Sequence, residues 1–196
     1  MKKQEIINYI QTNCELDIYY RYLIGQTVWY FQNYGEDFST DYDEFKKFIS
    51  IKLNVPFNNI AIVGSAKTKY SFSRSKEFKE FDDKSDFDLV IVSRDTFKNI
   101  WSAYKAISLE RHLAGYGNKC SNVFNGFVSI KDSDPTYGNG VLEEWQRKVR
   151  TFKAELQLKF NIQHDINYRI YSDWESVQYY HVKGIAKLKG KINEAN

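Results

Sequence analysis

Apolar residues along this chain recur first at helical spacing, then in short unbroken runs, then at helical spacing again. Residues 3–12 read as a short helix. Residues 16–33 read as a longer one, through Ile18, Tyr22, Ile24 or Gly25, Val28 and Trp29. A clearer start follows at Thr40 or Asp41. Either can cap a helix, Glu44 stands three residues past Asp41, and Phe45, Phe48, Ile49 and Leu53 then continue the period up to Pro56. At Ile60-Ala61-Ile62-Val63 the pattern becomes a short apolar run closed by Gly64-Ser65, the mark of a buried strand, and Phe87 to Val92 repeats it.

Helical spacing resumes over 95–113 through Phe97, Ile100, Trp101, Tyr104, Ile107 and Leu113, with Gly115 as the stop. Residues 115–140 are rich in Gly, Asn and Asp, and 123–130 within them suit a strand or hairpin arm. A helix over 141–160, a strand over 165–171 and a helix over 173–192 complete the chain, without an internal repeat. Elements mixed in this order predict an α+β fold: a small mixed sheet with helices packed on it and an N-terminal helical segment over 1–55. At 196 residues the chain is expected to be a single domain.

Composition changes this picture little. Lys and Arg number 28 against 25 Asp and Glu, so any contact with nucleic acid must be local. Cys14 and Cys120 have neither metal-site spacing nor the density of a disulfide scaffold, which suits a reducing cytoplasm. No long apolar span stands anywhere, so the expectation is a soluble, unexported protein with no membrane partner. The unusual quantity is the aromatic share, 17% of the chain, enough rings to fill a core and a subunit interface.

Chemistry concentrates in two places. On a strand, Asp86 and Asp88 face one way while Phe87 and Leu89 face the other, so two carboxylates converge on one point. Like charges at the mouth of an apolar strand need a cation or hydrogen bonds to offset them, and hard oxygen ligands favour Mg²⁺. Gly64 lets backbone approach a ligand closely, and the N–H groups after it, with the Ser65 hydroxyl, can hold phosphate oxygens. Together these make a phosphoryl-transfer site. The plainer alternative is that Asp86 and Asp88 only cap the turn before a buried strand.

At these residues the chain resembles the DNA polymerase beta-like nucleotidyltransferases, whose signature is a strand ending in Gly-Ser and a second strand opening Asp, apolar, Asp. The resemblance implies a nucleotidyltransferase-like mixed central sheet over 56–196, Mg²⁺ or Mn²⁺ held by Asp86 and Asp88, Gly64 and Ser65 in the phosphate loop, and an NTP or dNTP donor. It also implies a third carboxylate on a later strand. Asp165 is the candidate, with Asn167 and Arg169 on the same face, and Asn167 nearest the metal is the alternative. Between Ser65 and Asp86 stand 20 residues, against a family spacing of about a dozen. Small proteins of this look are similar to those of bacterial toxin–antitoxin and phage-defence operons. That likeness allows a homo-oligomer or an operon-encoded partner protein.

Lys67, Lys69, Arg74 and Lys76 in the long connection can reach phosphates, and Phe72 can stack on a base, which favours a nucleotide or oligonucleotide acceptor over a protein hydroxyl or a small molecule. Glu77, Glu80, Asp82 and Asp83 make a solvated loop the plain alternative. His181 reads as a packed or surface histidine rather than a catalyst, and the lysines of the last helix as a solvated face. No Arg is followed four to six residues later by His, which argues against a ribonuclease motif.

Overall fold

A computed structural model describes residues 2–194 except Glu36, Arg74, Glu77 and Asp132, so Arg74 lies outside the described residues. The helices are α1 (Lys3–Thr12), α2 (Glu15–Ile18), α3 (Trp29–Tyr34), α4 (Phe38–Leu53), α5 (Ser65–Thr68), α6 (Arg94–Glu110), α7 (Tyr116–Phe124), α8 (Gly140–Lys159) and α9 (Trp174–Glu194). The strands are β1 (Ile60–Val63), β2 (Phe87–Val92), β3 (Phe127–Val128) and β4 (Ile166–Tyr171). They form one mixed sheet in the order β1-β2-β4-β3, with β2 and β4 parallel and the two outer pairs antiparallel. The α+β expectation holds.

Register decides which side chains face which layer. Ile62 lies opposite Leu89 and Leu89 opposite Tyr168, and this row faces the main core with Phe87, Ile91 and Ile170. Phe45 and Ile49 from α4, Ile100 and Tyr104 from α6, and Val149 and Phe152 from α8 fill that core. The other face carries Val63, Val90, Val92 and Tyr171 and is covered by Val177 of α9. A third cluster joins α1, residues 18–23 and the C-terminal half of α9 through Ile6, Ile10, Tyr22, Ile185 and Leu188. Among the described residues no helix is long and apolar enough to cross a membrane.

Three expectations need correction. The helix expected over 16–33 is broken: α2 runs into a π-helical turn, Tyr19–Ile24, and the chain leaves helical geometry at Gly25 before α3 begins. The cause is remote, because the Gly25 carbonyl turns inward to accept a hydrogen bond from Lys67 Nζ at 2.5 Å. Asp41 does not cap α4. It lies inside the first turn, where its carboxylate accepts from the Asp37 N–H at 3.3 Å, and the helix begins at Phe38. Within 123–130, α7 extends to Phe124 and only Phe127 and Val128 pair as strand, against the end of β4.

Candidate active site

β1 carries the chain to Val63, directly opposite Asp88 on β2, and Gly64 then turns it into α5. Gly64 has φ +74° and ψ −159°, a conformation open to glycine and costly to other residues. A Cβ there would fall 2.8 Å from Asp88 Oδ2, so the backbone of the turn is packed against the carboxylate. The Gly64 carbonyl accepts from the Lys67 and Thr68 N–H groups at 3.1 and 3.2 Å, closing the first turn of α5 behind Ser65. Gly64 therefore stands beside Asp88, and Ser65 follows it as the first residue of α5.

Asp88 lies inside β2, and Asp86 stands one residue before the strand begins. Burial pushes the Asp88 carboxyl above the ordinary carboxylate range, the Arg169 guanidinium works against that shift, Asp86 adds to it and Lys76 opposes it. These causes place Arg169, Asp86 and the loop ammonium of Lys76 each within electrostatic reach of Asp88. The mouth of β2 is fixed from the side. Ser85 donates to Asp82 Oδ1 at 2.8 Å, and the Ser85 carbonyl accepts from His164 Nδ1 at 2.9 Å. His164, packed 4.5 Å from the Phe81 ring, thereby ties the start of β2 to the start of β4. Sequence reasoning missed this role, since nothing local marks it.

Asp165 sits one residue before β4, where its carbonyl accepts the Phe87 N–H at 2.8 Å and its side chain is exposed. Among the described residues no three acidic, histidine or cysteine side chains are grouped to hold a metal ion. Opposite Asp88 on β4 stands Asn167, and two residues on, Arg169 Nη1 lies 3.9 Å from Asp88 Oδ1. Two carboxylates at a glycine turn fit one hard divalent cation whose remaining positions are filled by water and substrate phosphate, the usual way Mg²⁺ is bound. They do not make a three-carboxylate cage.

The long connection is folded rather than loose. Ser71 N–H donates to the Lys79 carbonyl at 2.9 Å and Phe81 N–H to the Lys69 carbonyl at 2.7 Å, which zips its two ends together. Phe72 is buried between Tyr22 and Phe78, with ring centroids 5.7 Å away in each case, so it offers no stacking surface for a base. Lys67, expected at the phosphates, points inward to Gly25 and is 2% exposed. Burial, with Lys46 adding to it, brings its pKa down to about 8. Lys69 pairs with Glu80 at 2.8 Å. Of the lysines expected at the phosphates, Lys76 is exposed and felt by Asp88 and remains for substrate. A cavity of about 690 Å³ lined by Tyr30, Phe81, Lys159 and His164 lies beyond Phe87, on the side of β2 away from Asp88.

No family model, curated protein or solved structure matches this chain.

Proposed function

We propose that this chain is a divalent-metal-dependent nucleotidyltransferase, moving a nucleoside monophosphate from a nucleoside triphosphate to a hydroxyl acceptor. The observation that carries this reading is the packing of the Gly64 turn on Asp88, with Asp86 alongside: a backbone approach that only glycine permits, set against paired carboxylates. Asp86 and Asp88 would hold the cation. When bound, it supplies charge neutralisation at the α-phosphate and lowers the pKa of the attacking hydroxyl. The acceptor oxygen bonds to the α-phosphorus, the bond from that phosphorus to the bridging oxygen breaks, pyrophosphate leaves with the electron pair and the hydroxyl proton passes to water. Gly64 and Ser65 orient the phosphates against the carboxylates, and Lys76 favours an acceptor that carries phosphate, a nucleotide or oligonucleotide.

The test is incubation with each labelled NTP and dNTP and Mg²⁺, measuring pyrophosphate, soluble products and label retained on protein. Pyrophosphate released with a new phosphodiester product, and lost in Asp88→Asn, supports the reading. Label held on the protein identifies a protein hydroxyl as acceptor instead. Tight binding of a triphosphate with no pyrophosphate released supports a second reading, a nucleotide-binding partner protein.

A further inference from the structure

Arg169 is a charged group beside Asp88 whose chemistry the carboxylate pair and the Gly64 turn leave unused. It is placed by strand register: Asn167 pairs with Asp88 and Arg169 with Val90, so the guanidinium leans diagonally across the β2–β4 pair toward Asp88. Its Nη1 stands 3.9 Å from Asp88 Oδ1. That is an electrostatic contact, but it is beyond the 2.7–3.2 Å range of an N–H···O hydrogen bond. Behind it, the Phe127 and Tyr180 rings meet edge to face with centroids 5.1 Å apart, and the guanidinium carbon lies 5.5 and 5.4 Å from the two centroids. The two rings hold the cation by cation–π attraction.

An arginine carries five N–H donors in a planar fork, and polar groups withdrawn from water are ordinarily satisfied. Here the side chain is 31% exposed, and among the described residues no acceptor lies at hydrogen-bond distance from it. A preorganised, fully charged fork beside a metal-binding carboxylate is matched in shape and charge by a phosphate group, which takes two parallel N–H···O bonds. Opposite Asp88 on β4 stands the neutral Asn167, and among the described residues no third acidic, histidine or cysteine side chain is grouped with the pair to hold a metal ion. A triphosphate brought to one metal still carries excess negative charge that a protein cation must balance.

We infer that Arg169 binds the phosphate chain of the donor, supplying from the protein the positive charge that a second divalent cation supplies in two-metal sites. This rests on the nucleotidyltransferase reading, and it makes Arg169, rather than Lys67 or Lys69, the principal phosphate-binding side chain of this site. The site is then a one-metal, one-arginine centre in which Asp88 is shared: it steadies the guanidinium in the free protein and ligates the metal in the loaded one.

The experiment uses the full chain and three variants, Arg169→Gln, Arg169→Lys and Asp88→Asn. ATP and inorganic tripolyphosphate serve as probes, each titrated with and without Mn²⁺, and Mn²⁺ is titrated alone. The expected result is that Arg169→Gln weakens tripolyphosphate and ATP at least tenfold with and without metal, while its affinity for Mn²⁺ alone stays equal or rises, a repelling charge having been removed. Arg169→Lys keeps the charge without the fork and falls between the two, and it stands in for Arg169→Gln if that variant does not fold. Asp88→Asn loses Mn²⁺ and keeps metal-free tripolyphosphate binding. Affinities for tripolyphosphate within twofold of the parent in both Arg169 variants overturn the inference. So does a loss of Mn²⁺ binding in Arg169→Gln, because Arg169 would then act by positioning Asp88. A parent chain that releases pyrophosphate but shows no Arg169 dependence refutes this inference alone. A parent that binds neither probe refutes both it and the function proposed above.

Discussion

Across β1, β2 and β4 two rows of side chains run side by side: Ile62, Leu89 and Tyr168 on one face, Val63, Asp88 and Asn167 on the other. They are one residue apart in each strand. In the first row the residues are at most 6% exposed, and the Tyr168 hydroxyl, the only polar side-chain atom there, donates to the Ile130 carbonyl at 2.7 Å while accepting from Trp145 Nε1 at 3.1 Å. In the second, burial lifts the Asp88 carboxyl above its ordinary range and the neighbouring Arg169 meets it only at 3.9 Å. The first row has satisfied its one polar side-chain atom, and the second holds a carboxylate and its neighbouring guanidinium apart. A site that must exchange water and protein contacts for a ligand has to stay on the second side of that line.

Moving a charge onto the first face is the harshest way to erase the difference. Leu89→Asp puts a carboxylate where Leu89 is 1% exposed, among Ile62, Phe87 and Ile170, with no cation in the cluster. The expected outcome is loss of the folded state, a cost above about 4–5 kcal/mol, read as absence of a cooperative thermal transition. The converse change, Asp88→Asn, removes a charge from the second face and leaves the fold. Even residues that merely support metal ligands cost about 10–100-fold when lost, so removing a ligand should lower nucleotidyl transfer by at least about a hundredfold. Stability moves the other way. A carboxyl whose folded pKa is raised contributes stability that is present below its unfolded value and lost as pH rises through the folded one. Asp88→Asn therefore loses stability less steeply than the parent above about pH 4, as denaturant midpoints at pH 4, 5, 6 and 7 would show.

The alternation that separates these rows is written locally, which is why β1, β2, β4 and the Asp86–Asp88 pair are legible in the sequence. Period two needs only the neighbours. What could not be read depends on distant partners. The break at Gly25 answers to Lys67, 42 residues on, and that same contact takes Lys67 away from the phosphates. Phe72 sits in a stretch of Lys and Ser that reads as solvated, yet Tyr22 and Phe78 bury it, because α1, α9 and the π-helical turn leave a hollow that a ring fills. Arg169 could be placed on the correct face from alternation, but its value as a cation without an acceptor needs the positions of Phe127 and Tyr180.

A milder way to blur the two faces acts through the turn between them. Gly64→Ala forces a side chain into a conformation that costs other residues about 1–3 kcal/mol, and its Cβ would displace Asp88 Oδ2. The expected loss is about 2 kcal/mol in chemical denaturation, together with a fall in Mn²⁺ affinity. A variant with unchanged stability and unchanged Mn²⁺ binding would remove the Gly64 turn from the site.

The smallest effect at neutral pH concerns His181, carried by α9 beside Tyr171. Its Nε2 is buried without a hydrogen-bond partner, as is the Tyr171 hydroxyl, and the two rings lie 6.4 Å apart. Burial first, and the Arg169 charge second, bring the His181 pKa down to about 3. Around it stand Tyr19, Tyr171 and Tyr180, and the nearest charge felt is the cation of Arg169, so a second positive charge has nothing to pair with. The sign follows from linkage: a histidine neutral when folded and protonated when unfolded contributes stability that is complete above its unfolded pKa and is lost as pH falls toward the folded one. The window here runs from about 6.5 down to about 3, with a slope of at most about 1.4 kcal/mol per pH unit for one proton. Replacing the ring by an uncharged one, His181→Phe, should change stability by less than about 1 kcal/mol at pH 7.5 and flatten the decline between pH 6 and pH 4. Parent and variant declining in parallel over that interval would show that His181 accepts a proton in the folded state, through a partner that the packing around Arg169 and Tyr171 does not provide.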